Sequence, residues 1–338
     1  MKIIHKKHID ARSKPLNLKQ QDISLFEHEL EREIRESHVL VLENVSITNE
    51  IIYRFSSLKF YTSYTHPRFE NFGVKSIALN LLILLKMARI LAPKRQEKIE
   101  KAFWITDRRS KEYFHWLTDA LPRLVIAKDF VTSHVLVLPR EYEKYPYITA
   151  SLTLFDIPVK YCDRSTKLKI RELILPSHTA ESGNYNKVVI NQLRDLFLSK
   201  FREIKPYRQI YISRMKAKKR KVANEDEVIA LLETYQYEIH YFEDYSFEQQ
   251  IAICSESTSL IGLHGAGLTN MLFMHPKTRV LELRNENDCK NNCYFSLASD
   301  LNIAYYYQLS KGDQNNTHTV NVNVDINELR RNIESMLH

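Results

Sequence analysis

The fold is decided by the stretch Ile261-Gly262-Leu263-His264-Gly265-Ala266-Gly267-Leu268-Thr269-Asn270, which joins a predicted strand to a predicted helix. The strand is the apolar run 259–263, and the helical pattern begins at Ala266. Three of the six glycines in the chain lie within six residues here. Because glycine permits positive φ and close approach of the backbone, and a helix start offers N–H groups to an anion, we predict a phosphate-binding turn.

Two well-known phosphate-binding signatures do not fit this turn. Its glycines lack the G-x-G-x-x-G spacing of a dinucleotide site, and no Gly-Lys-Ser/Thr follows them as in a P-loop. A tight strand-to-helix turn without a ligand is the competing interpretation. The concentration of glycine in so few residues favours the binding interpretation.

Strands and helices are predicted to alternate on both sides of the turn. The predicted strands are 39–42, 102–105, 134–138, 159–161, 173–175, 209–212, 237–242, 259–263, 279–283 and 303–307. The predicted helices are 77–91, 112–130, 144–155, 187–201, 224–235, 246–254, a helix from 266 onward, and 292–301. This alternation is typical of parallel, doubly wound sheets, so the predicted fold class is α/β in both halves of the chain.

Pro206, in a charged stretch, marks the predicted domain boundary. Residues 1–205 would form the first α/β domain and residues 206–310 the second, and 311–338 would be a tail whose helix packs back. A length of 338 residues suits two domains at roughly 100–200 residues each.

Composition narrows the class of partner. A hydrophobic fraction of 44% and a charged fraction of 27% exclude disorder and coiled coil as the main state. The formal net charge of +8 favours nucleic acid, an anionic membrane surface or phosphorylated small molecules. Four cysteines make no disulfide framework, and the amino-terminal residues lack the apolar core of a signal peptide, so we expect a cytoplasmic location.

The longest apolar run, 77–85, is far shorter than the ~20 residues needed to span a bilayer. A buried helix is the favoured interpretation. The alternative is a peripheral membrane contact, helped by the basic residues that follow.

A basic run, 214–221, follows the first predicted strand of the second half, and six of its eight residues are Lys or Arg. No aromatic residue interleaves it, which disfavours a nucleic-acid surface. At the carboxyl end of a strand beside the glycine turn, Arg214, Lys219 and Arg220 suit a diphosphate better. A solvated loop is the other interpretation.

The predicted helix at 112–130 carries a second group of reactive residues. Glu112, His115 and Asp119 share one stripe of this helix, beside an apolar stripe. A His and an Asp four residues apart suit acid–base catalysis, with a structural histidine as the alternative. Pro122 makes the helix geometry uncertain beyond Thr118.

Three blocks of the sequence resemble the signatures of glycosyltransferase family 61. They are Tyr113-Phe114-His115-Trp116-Leu117 with Asp119-Ala120-Leu121-Pro122-Arg123, then Tyr211-Ile212-Ser213-Arg214 with Arg220 and Asn224-Glu225, and His264-Gly265-Ala266-Gly267-Leu268 with Asn270 and Glu282-Leu283. The resemblance covers roughly residues 104–283. Lys277 stands where a Gly is usual after the Pro.

The resemblance implies a GT-B-like fold, in which two Rossmann-like, doubly wound domains face a central cleft. It implies an inverting reaction with a nucleotide-sugar donor, held mainly by the second domain through the residues of the glycine turn. Glu282 would bind the ribose hydroxyls. The cations of the basic run and the helix start would stabilise the leaving diphosphate, and no metal or other cofactor is expected, because the chain has no Asp-x-Asp.

We therefore expect a cytoplasmic glycosyltransferase that extends a surface glycan of the capsule or lipopolysaccharide type, on a glycan or lipid-linked acceptor. A peripheral contact with the inner face of the cytoplasmic membrane is a further expectation, and nucleic acid is not an expected partner. The alternatives are a basic nucleic-acid-binding α/β protein and, less favoured, a nicotinamide-dependent oxidoreductase.

Overall fold

The computed structural model describes residues 1–57, 59–65, 95–130, 133–314, 316–317 and 319–337. The predicted helix at 77–91 and the apolar run 77–85 lie outside the described residues. The described chain forms two compact units. Unit 1 contains Met1–Lys6 and Glu36–Thr179, and unit 2 contains Lys7–Arg35 and Ala180–His338.

The strands of the described residues, in chain order, are β1 Lys2–His5, β2 His8–Ala11, β3 Glu31–Ile34, β4 Ser37–Thr48, β5 Ile51–Arg54, β6 Lys59–Phe60, β7 Gln96–Phe103, β8 Val135–Pro139, β9 Val159–Cys162, β10 Lys167–Pro176, β11 Arg208–Ile212, β12 Glu238–His240, β13 Ser257–Leu263, β14 Arg279–Asn285, β15 Ala304–Gly312 and β16 Val322–Asn323. Each of the ten predicted strands overlaps one of these.

The α-helices are α1 Ile23–Phe26, α2 Tyr113–His115, α3 Leu121–Ala127, α4 Pro146–Leu152, α5 Lys187–Phe197, α6 Glu225–Thr234, α7 Phe247–Ser255, α8 Cys293–Asp300 and α9 Ile326–Leu337. A π-helical turn, Trp116–Ala120, joins α2 to α3, and a 3₁₀ helix, Ala266–Phe273, follows β13. Among the described residues, no helix combines the length and the apolar character needed to cross a bilayer.

The sheet of unit 1 is mixed, with the order β6-β5-β4-β10-β7-β8-β9, and β1 also pairs with β4. Strands β10, β7, β8 and β9 are parallel, as predicted. The pairs that involve β4 and β5 are antiparallel, so the prediction of a fully parallel sheet is wrong for this half. The antiparallel edge includes three strands of two to four residues, which are too short to show a hydrophobic period.

The sheet of unit 2 has the order β12-β11-β13-β14-β15-β16, and its first five strands are parallel. In chain order the parallel part is 2-1-3-4-5, which is the flavodoxin-like order of a doubly wound sheet. The last strand, β16, is antiparallel to β15. The predicted tail helix is α9, and it packs on β15 and α6 within this unit.

The boundaries of the two units do not follow the predicted division at residue 205. Two segments from the first 205 residues pack with unit 2. Helix α5 buries Phe197 against Phe247 and Phe273. Residues 7–35 bring Phe26 against Phe295 and other aromatic rings of unit 2. Arg12 of the same segment pairs with Glu29 and with Asp300. Pro206 marks a change in composition but does not lie where the packing changes.

We predict that Phe26→Ala lowers the free energy of unfolding by about 3–5 kcal/mol, because it leaves a cavity among buried aromatic rings of unit 2. Denaturant unfolding measures the change. The control is Phe55→Ala, since the Phe55 side chain is 63% exposed and its truncation should change stability little. Equal effects of the two substitutions would contradict the assignment of residues 7–35 to unit 2.

Candidate active site

The order of the unit 2 strands selects one place for a ligand. From β11 the chain passes to β12 on one side, whereas β13 lies on the other side of β11. In open α/β sheets, ligands bind outside the carboxyl ends of the strands where the order reverses. Ile212 at the end of β11 pairs with Gly262 of β13, so the residues that follow each strand emerge side by side. These residues are Arg214 and the glycine turn.

Arg214 lies directly against Gly265. A Cβ atom on Gly265 would stand 2.9 Å from Cζ of Arg214, so any side chain there would displace the guanidinium. Gly265 has φ 156 and ψ 177, a region that is open essentially to glycine alone. The predicted proximity of the basic run and the glycine turn is thus present for Arg214.

Arg214 is a cation that lacks a hydrogen-bonded carboxylate among the described residues. Its Nε donates to the carbonyl oxygen of Arg220 at 2.9 Å, and Nη2 donates to that of Lys219 at 3.2 Å. The pKa of Arg214 is lowered mainly by burial and, to a smaller extent, by the positive charge of Arg220. Two neighbouring, partly desolvated cations favour the approach of an anion.

The rest of the basic run serves different purposes. Lys219 is exposed, and Arg220 is half-buried in the left-handed region at φ 59. The Nε atom of Arg220 is buried and has no hydrogen-bond partner among the described residues. Lys216 instead pairs with Asp244 and lies over the ring of Tyr241. Within this run, therefore, Arg214 and Arg220 are the cations best placed for a phosphate.

The remaining residues of the glycine turn build its shape. The predicted helix is a 3₁₀ helix, and Leu268 N donates to Gly265 O at 2.9 Å. A Cβ on Gly267 would stand 3.2 Å from Cγ2 of Ile212, so this glycine permits close packing on β11. Asn270 donates to the carbonyl oxygen of Gly267 at 2.9 Å. The backbone of Ala266 and Gly267 is half-buried, whereas Leu268 and Asn270 are buried.

His264 is held by a buried carboxylate. Its Nδ1 hydrogen-bonds Oε1 of Glu282, and the other oxygen of Glu282 accepts from the Tyr305 hydroxyl at 2.5 Å. Nε2 of His264 lies 3.0 Å from Nδ2 of Asn291. His264 and Arg220 also line a narrow cavity with Asn285.

Glu282 is fully buried with both oxygens engaged, which does not fit the predicted contact with ribose hydroxyls. Burial alone would raise the pKa of this carboxyl. The charge of His264, the hydrogen bonds from His264 and Tyr305, and the charge of Arg284 outweigh burial and lower the pKa. Glu282 therefore holds Nδ1 of His264 and fixes the orientation of its ring.

The predicted His–Asp pair is formed in unit 1. Nδ1 of His115 lies 2.7 Å from Oδ2 of Asp119, and both side chains are mostly buried. Glu112 is 64% exposed, and its Oε2 lies 3.9 Å from Nε2 of His115. His115 and Asp119 thus form a hydrogen-bonded pair, and Glu112 lies beyond hydrogen-bond distance of it.

A π-helical turn positions this pair. Leu121 N donates to Trp116 O, one residue wider than an α-helical bond, and Pro122 then stands at the start of α3. Proline has no N–H and is tolerated at a helix start. Such single π turns occur frequently at functional sites.

Sequence reasoning missed two further features of unit 1. Arg123 is fully buried, and its guanidinium donates to the carbonyl oxygens of Pro176, Tyr64 and Ile105. Burial lowers its pKa to about 10. Asp107 and His178 form a second His–Asp pair with 3.0 Å between Oδ2 and Nε2. Arg123 lies in the first block that resembles the family signature, but the sequence did not predict its burial. Nothing in the sequence linked Asp107 to a histidine 71 residues away.

The sequence model of glycosyltransferase family 61 matches residues 113–281, which is half of the chain. The chain belongs to glycosyltransferase family 61. It is therefore a transferase, and neither the nucleic-acid-binding nor the oxidoreductase alternative is supported. The family match contains the His115–Asp119 pair, Arg214 and the glycine turn, and it ends one residue before Glu282.

Similar proteins of this family are EGF domain-specific O-linked N-acetylglucosamine transferases. The protein of Drosophila melanogaster is 41% identical over 98 residues, which are 28% of this chain and 18% of that protein. The protein of Xenopus laevis is 37% identical over 100 residues, with the same two shares. The protein of Mus musculus is 35% identical over 91 residues, 25% of this chain and 17% of the relative. These matches span less than a fifth of each relative's length.

For this family 61 chain we predict that Glu282→Gln lowers stability at pH 7 by about 3 kcal/mol, because it breaks a buried pair. The pKa of Glu282 is depressed in the folded state, so its contribution is present above its unfolded pKa near 4.3. That contribution is lost as pH falls through the folded pKa. The difference between wild type and variant should therefore shrink below about pH 4.

Denaturant unfolding at pH 7 and at progressively lower pH measures this change. Glu286→Gln is the matched control, since Glu286 follows the same strand and is exposed. A Glu282→Gln variant that unfolds like wild type at pH 7 would show that the carboxylate is not needed to hold His264.

Proposed function

We propose that this glycosyltransferase moves a sugar from a nucleotide-sugar donor to an acceptor hydroxyl with inversion and without a metal ion. The proposed acceptor is a growing surface glycan, of the capsule or lipopolysaccharide type, or its lipid-linked form. The observation that carries the proposal is the contact of Arg214 with Gly265 at the strand-order reversal of unit 2. A cytoplasmic location, with a peripheral contact at the inner membrane face, and the GT-B-like arrangement of two domains belong to the same proposal.

The donor diphosphate would bind at the carboxyl ends of β11 and β13. Arg214 and Arg220 supply the positive charge, with Lys219 at the exposed side. The half-buried backbone of Ala266 and Gly267 lets the phosphates come close. Because these groups are fixed before the reaction, they would stabilise the charge that develops on the leaving diphosphate. Cations of this kind can replace a metal ion in that task, which supports metal independence.

His264 would add a further polar group at this site. Its pairing with Glu282 leaves Nε2 on the side of Asn291 and the small cavity. We therefore place His264 among the donor-binding groups and Glu282 behind it as a positioning residue.

The proton of the acceptor hydroxyl would pass to unit 1. In the inverting step the acceptor oxygen bonds to the anomeric carbon, the bond to the diphosphate breaks, and the base takes the hydroxyl proton. Nδ1 of His115 is bound to Asp119, so Nε2 is the nitrogen that can accept this proton. The alternative is Asp119 as the base, but its Oδ2 is occupied by His115. His115 is therefore the preferred base.

A second candidate acceptor is a hydroxyl on a protein. The relatives named as EGF domain-specific O-linked N-acetylglucosamine transferases favour it. The two acceptors share the same chemistry at the reacting hydroxyl, so the residues above would serve either one. Parallel assays that supply the same donor with either a glycan acceptor or an EGF-like domain would show which acceptor is used.

One experiment tests the proposal as a whole. A panel of nucleotide sugars is screened with the purified chain for thermal shift and for slow donor hydrolysis, with and without EDTA. We expect at least one donor to stabilise the protein and to be turned over in EDTA. Activity that is abolished by EDTA and restored by Mn²⁺ or Mg²⁺ would overturn metal independence, and no response to any nucleotide sugar would overturn the donor assignment.

We predict that Gly265→Ala weakens donor binding at least tenfold, or about 1.4 kcal/mol. The new methyl group would displace Arg214 and would force an L-residue into a backbone region that favours glycine. Calorimetric titration with the nucleotide sugar measures the affinity, and a thermal melt checks the fold.

The charge at the same place is tested by Arg214→Gln, which should also weaken binding tenfold or more. Lys218→Gln is the matched control, because Lys218 is exposed in the same loop. If Lys218→Gln and Arg214→Gln bind the donor equally well, the diphosphate does not lie on Arg214.

We predict that His115→Ala and Asp119→Asn each lower kcat by about 10²–10⁴-fold, the usual contribution of a general base. Donor affinity should stay at the wild-type level, because the donor-binding groups lie in unit 2. Steady-state kinetics and donor titration measure the two effects. Asp129→Asn is the control, since Asp129 is an exposed acid just beyond α3. Wild-type turnover in both variants would contradict this prediction and would show that His115 has a structural role instead.

A further inference from the structure

Unit 1 has its own reversal of strand order, and a polar cluster lies at it. From β7 the chain passes to β8 on one side, whereas β10 lies on the other side of β7 and is parallel to it. Phe103 of β7 pairs with Ile174 of β10, so the segments after these strands emerge together. Asp107 follows β7 and His178 follows β10, and their side chains meet at 3.0 Å.

Asp107 is a buried, ionised carboxylate. Its Oδ1 accepts from the backbone N–H groups of Arg109 and Ser110 and from the Ser110 hydroxyl, at 2.8, 3.1 and 3.0 Å. Burial opposes ionisation, but the bond and charge of His178, the N–H of Arg109 and the charge of Arg123 hold the pKa of Asp107 well below its usual range. Oδ2 therefore accepts from Nε2–H of His178.

This pairing determines which ring nitrogen of His178 is left for a ligand. Because Nε2 donates to Asp107, that nitrogen is Nδ1. The imidazole is about one-fifth exposed, and Nδ1 has no hydrogen-bond partner among the described residues. His178 thus presents Nδ1 in a fixed orientation at the end of the sheet.

Two further polar atoms near this pair lack hydrogen-bond partners within the described part of the chain. They are Oγ1 of Thr106, the residue before Asp107, and Nδ1 of His38. The backbone of His38 pairs with Ser177, the residue before His178. The nearest carboxylate oxygen to Nδ1 of His38, on Glu36, is 3.8 Å away, beyond hydrogen-bond distance. Buried polar atoms are rarely left unpaired unless a ligand or solvent completes them.

The chemistry of the cluster selects a class of ligand. A cation would find the oxygens of Asp107 already engaged, and an anion would meet that same negative charge. Arg123, the nearby cation, already donates its hydrogen bonds to backbone carbonyl oxygens. Among the described residues of the cluster, the atoms left without a partner are ring nitrogens and a hydroxyl oxygen, all of which can form hydrogen bonds with hydroxyl groups. A polyhydroxyl ligand meets these requirements.

We propose that the end of the unit 1 sheet at Thr106, Asp107 and His178 is a recognition site for a saccharide acceptor. A hydroxyl of the acceptor sugar forms a hydrogen bond with Nδ1 of His178, and Asp107 positions the ring. This site rests on the proposed function, and its role differs from that of His115. It binds the acceptor, and the His115–Asp119 pair removes the proton.

The test measures saccharide binding and turnover in the full chain. The probes are methyl glycosides of the common hexoses, pentoses and N-acetylhexosamines, with binding followed by saturation-transfer NMR and calorimetry. His178→Gln should weaken binding of the recognised glycoside at least tenfold and raise its KM, with kcat and donor affinity near wild type. His134→Gln is the matched control, because His134 pairs with Glu172 in the same sheet but at the amino end of β8.

Thr106→Val is the second variant, and it keeps the test decisive if His178→Gln does not fold. It replaces a hydroxyl that has no partner by a methyl group of similar size, so the melting temperature should not fall. Glycoside binding should nevertheless weaken. A purely structural role for the cluster predicts unchanged binding in this variant.

The outcomes separate this proposal from the proposed function. Wild-type glycoside affinity in folded His178→Gln or Thr106→Val overturns the recognition site, as does an equal loss in His134→Gln. A fall in kcat without a change in glycoside affinity or KM also overturns it, since His178 would then act in proton transfer. Failure of wild type to bind any nucleotide sugar would reject the proposed function and is measured independently of glycoside binding.

Discussion

The second unit depends on one steric constraint, which is the contact of the Arg214 guanidinium with the backbone at Gly265. A side chain at this position would have to displace the guanidinium, because its first atom would stand 2.9 Å from the guanidinium carbon. The contact exists because β11 and β13 are parallel neighbours whose carboxyl ends meet. The glycine, the arginine and the strand order are therefore parts of one arrangement. A change in any of them would separate the cation from the glycine turn.

Three histidines of the two units are oriented by carboxylates, and each carboxylate is stabilised differently. Glu282 is fully buried and receives a hydroxyl from Tyr305 as well as His264. Asp107 receives backbone N–H groups in a tight turn. Asp119 lies in a π-helical turn with His115. In each pair the bound ring nitrogen is fixed, so the other nitrogen has a defined role as donor or acceptor.

The sequence predicted what depends on neighbours along the chain. Periodicity located the strands around the glycine turn and the helix at 246–254, which a Ser246–Gln249 capping box opens as α7. The His115–Asp119 pair was predicted because four residues make one helical turn. Lys277, where a glycine is usual in the family, has φ 68, so the departure lies at a position that requires a left-handed backbone.

What the sequence did not predict depends on distant residues. The pairing of Asp107 with His178 requires that β10 return beside β7, and short antiparallel strands gave no periodic signal. Residues 7–35 belong to unit 2 through Phe26 and Arg12, whose partners lie some 270 to 290 residues away. Glu282 is the middle residue of β14, and only its neighbours show that it faces His264.

The net charge of +8 is a poor guide to the site, because many cations are satisfied elsewhere. Arg208 is bound by the carboxylates of Glu238 and Glu256, which raise its pKa. Arg214 instead donates to backbone carbonyls, and a neighbouring cation helps to lower its pKa. Carbonyl oxygens orient a guanidinium without neutralising it. An arginine held in this way retains its attraction for an anion, and this distinguishes Arg214 from Arg208, whose charge is neutralised by two carboxylates.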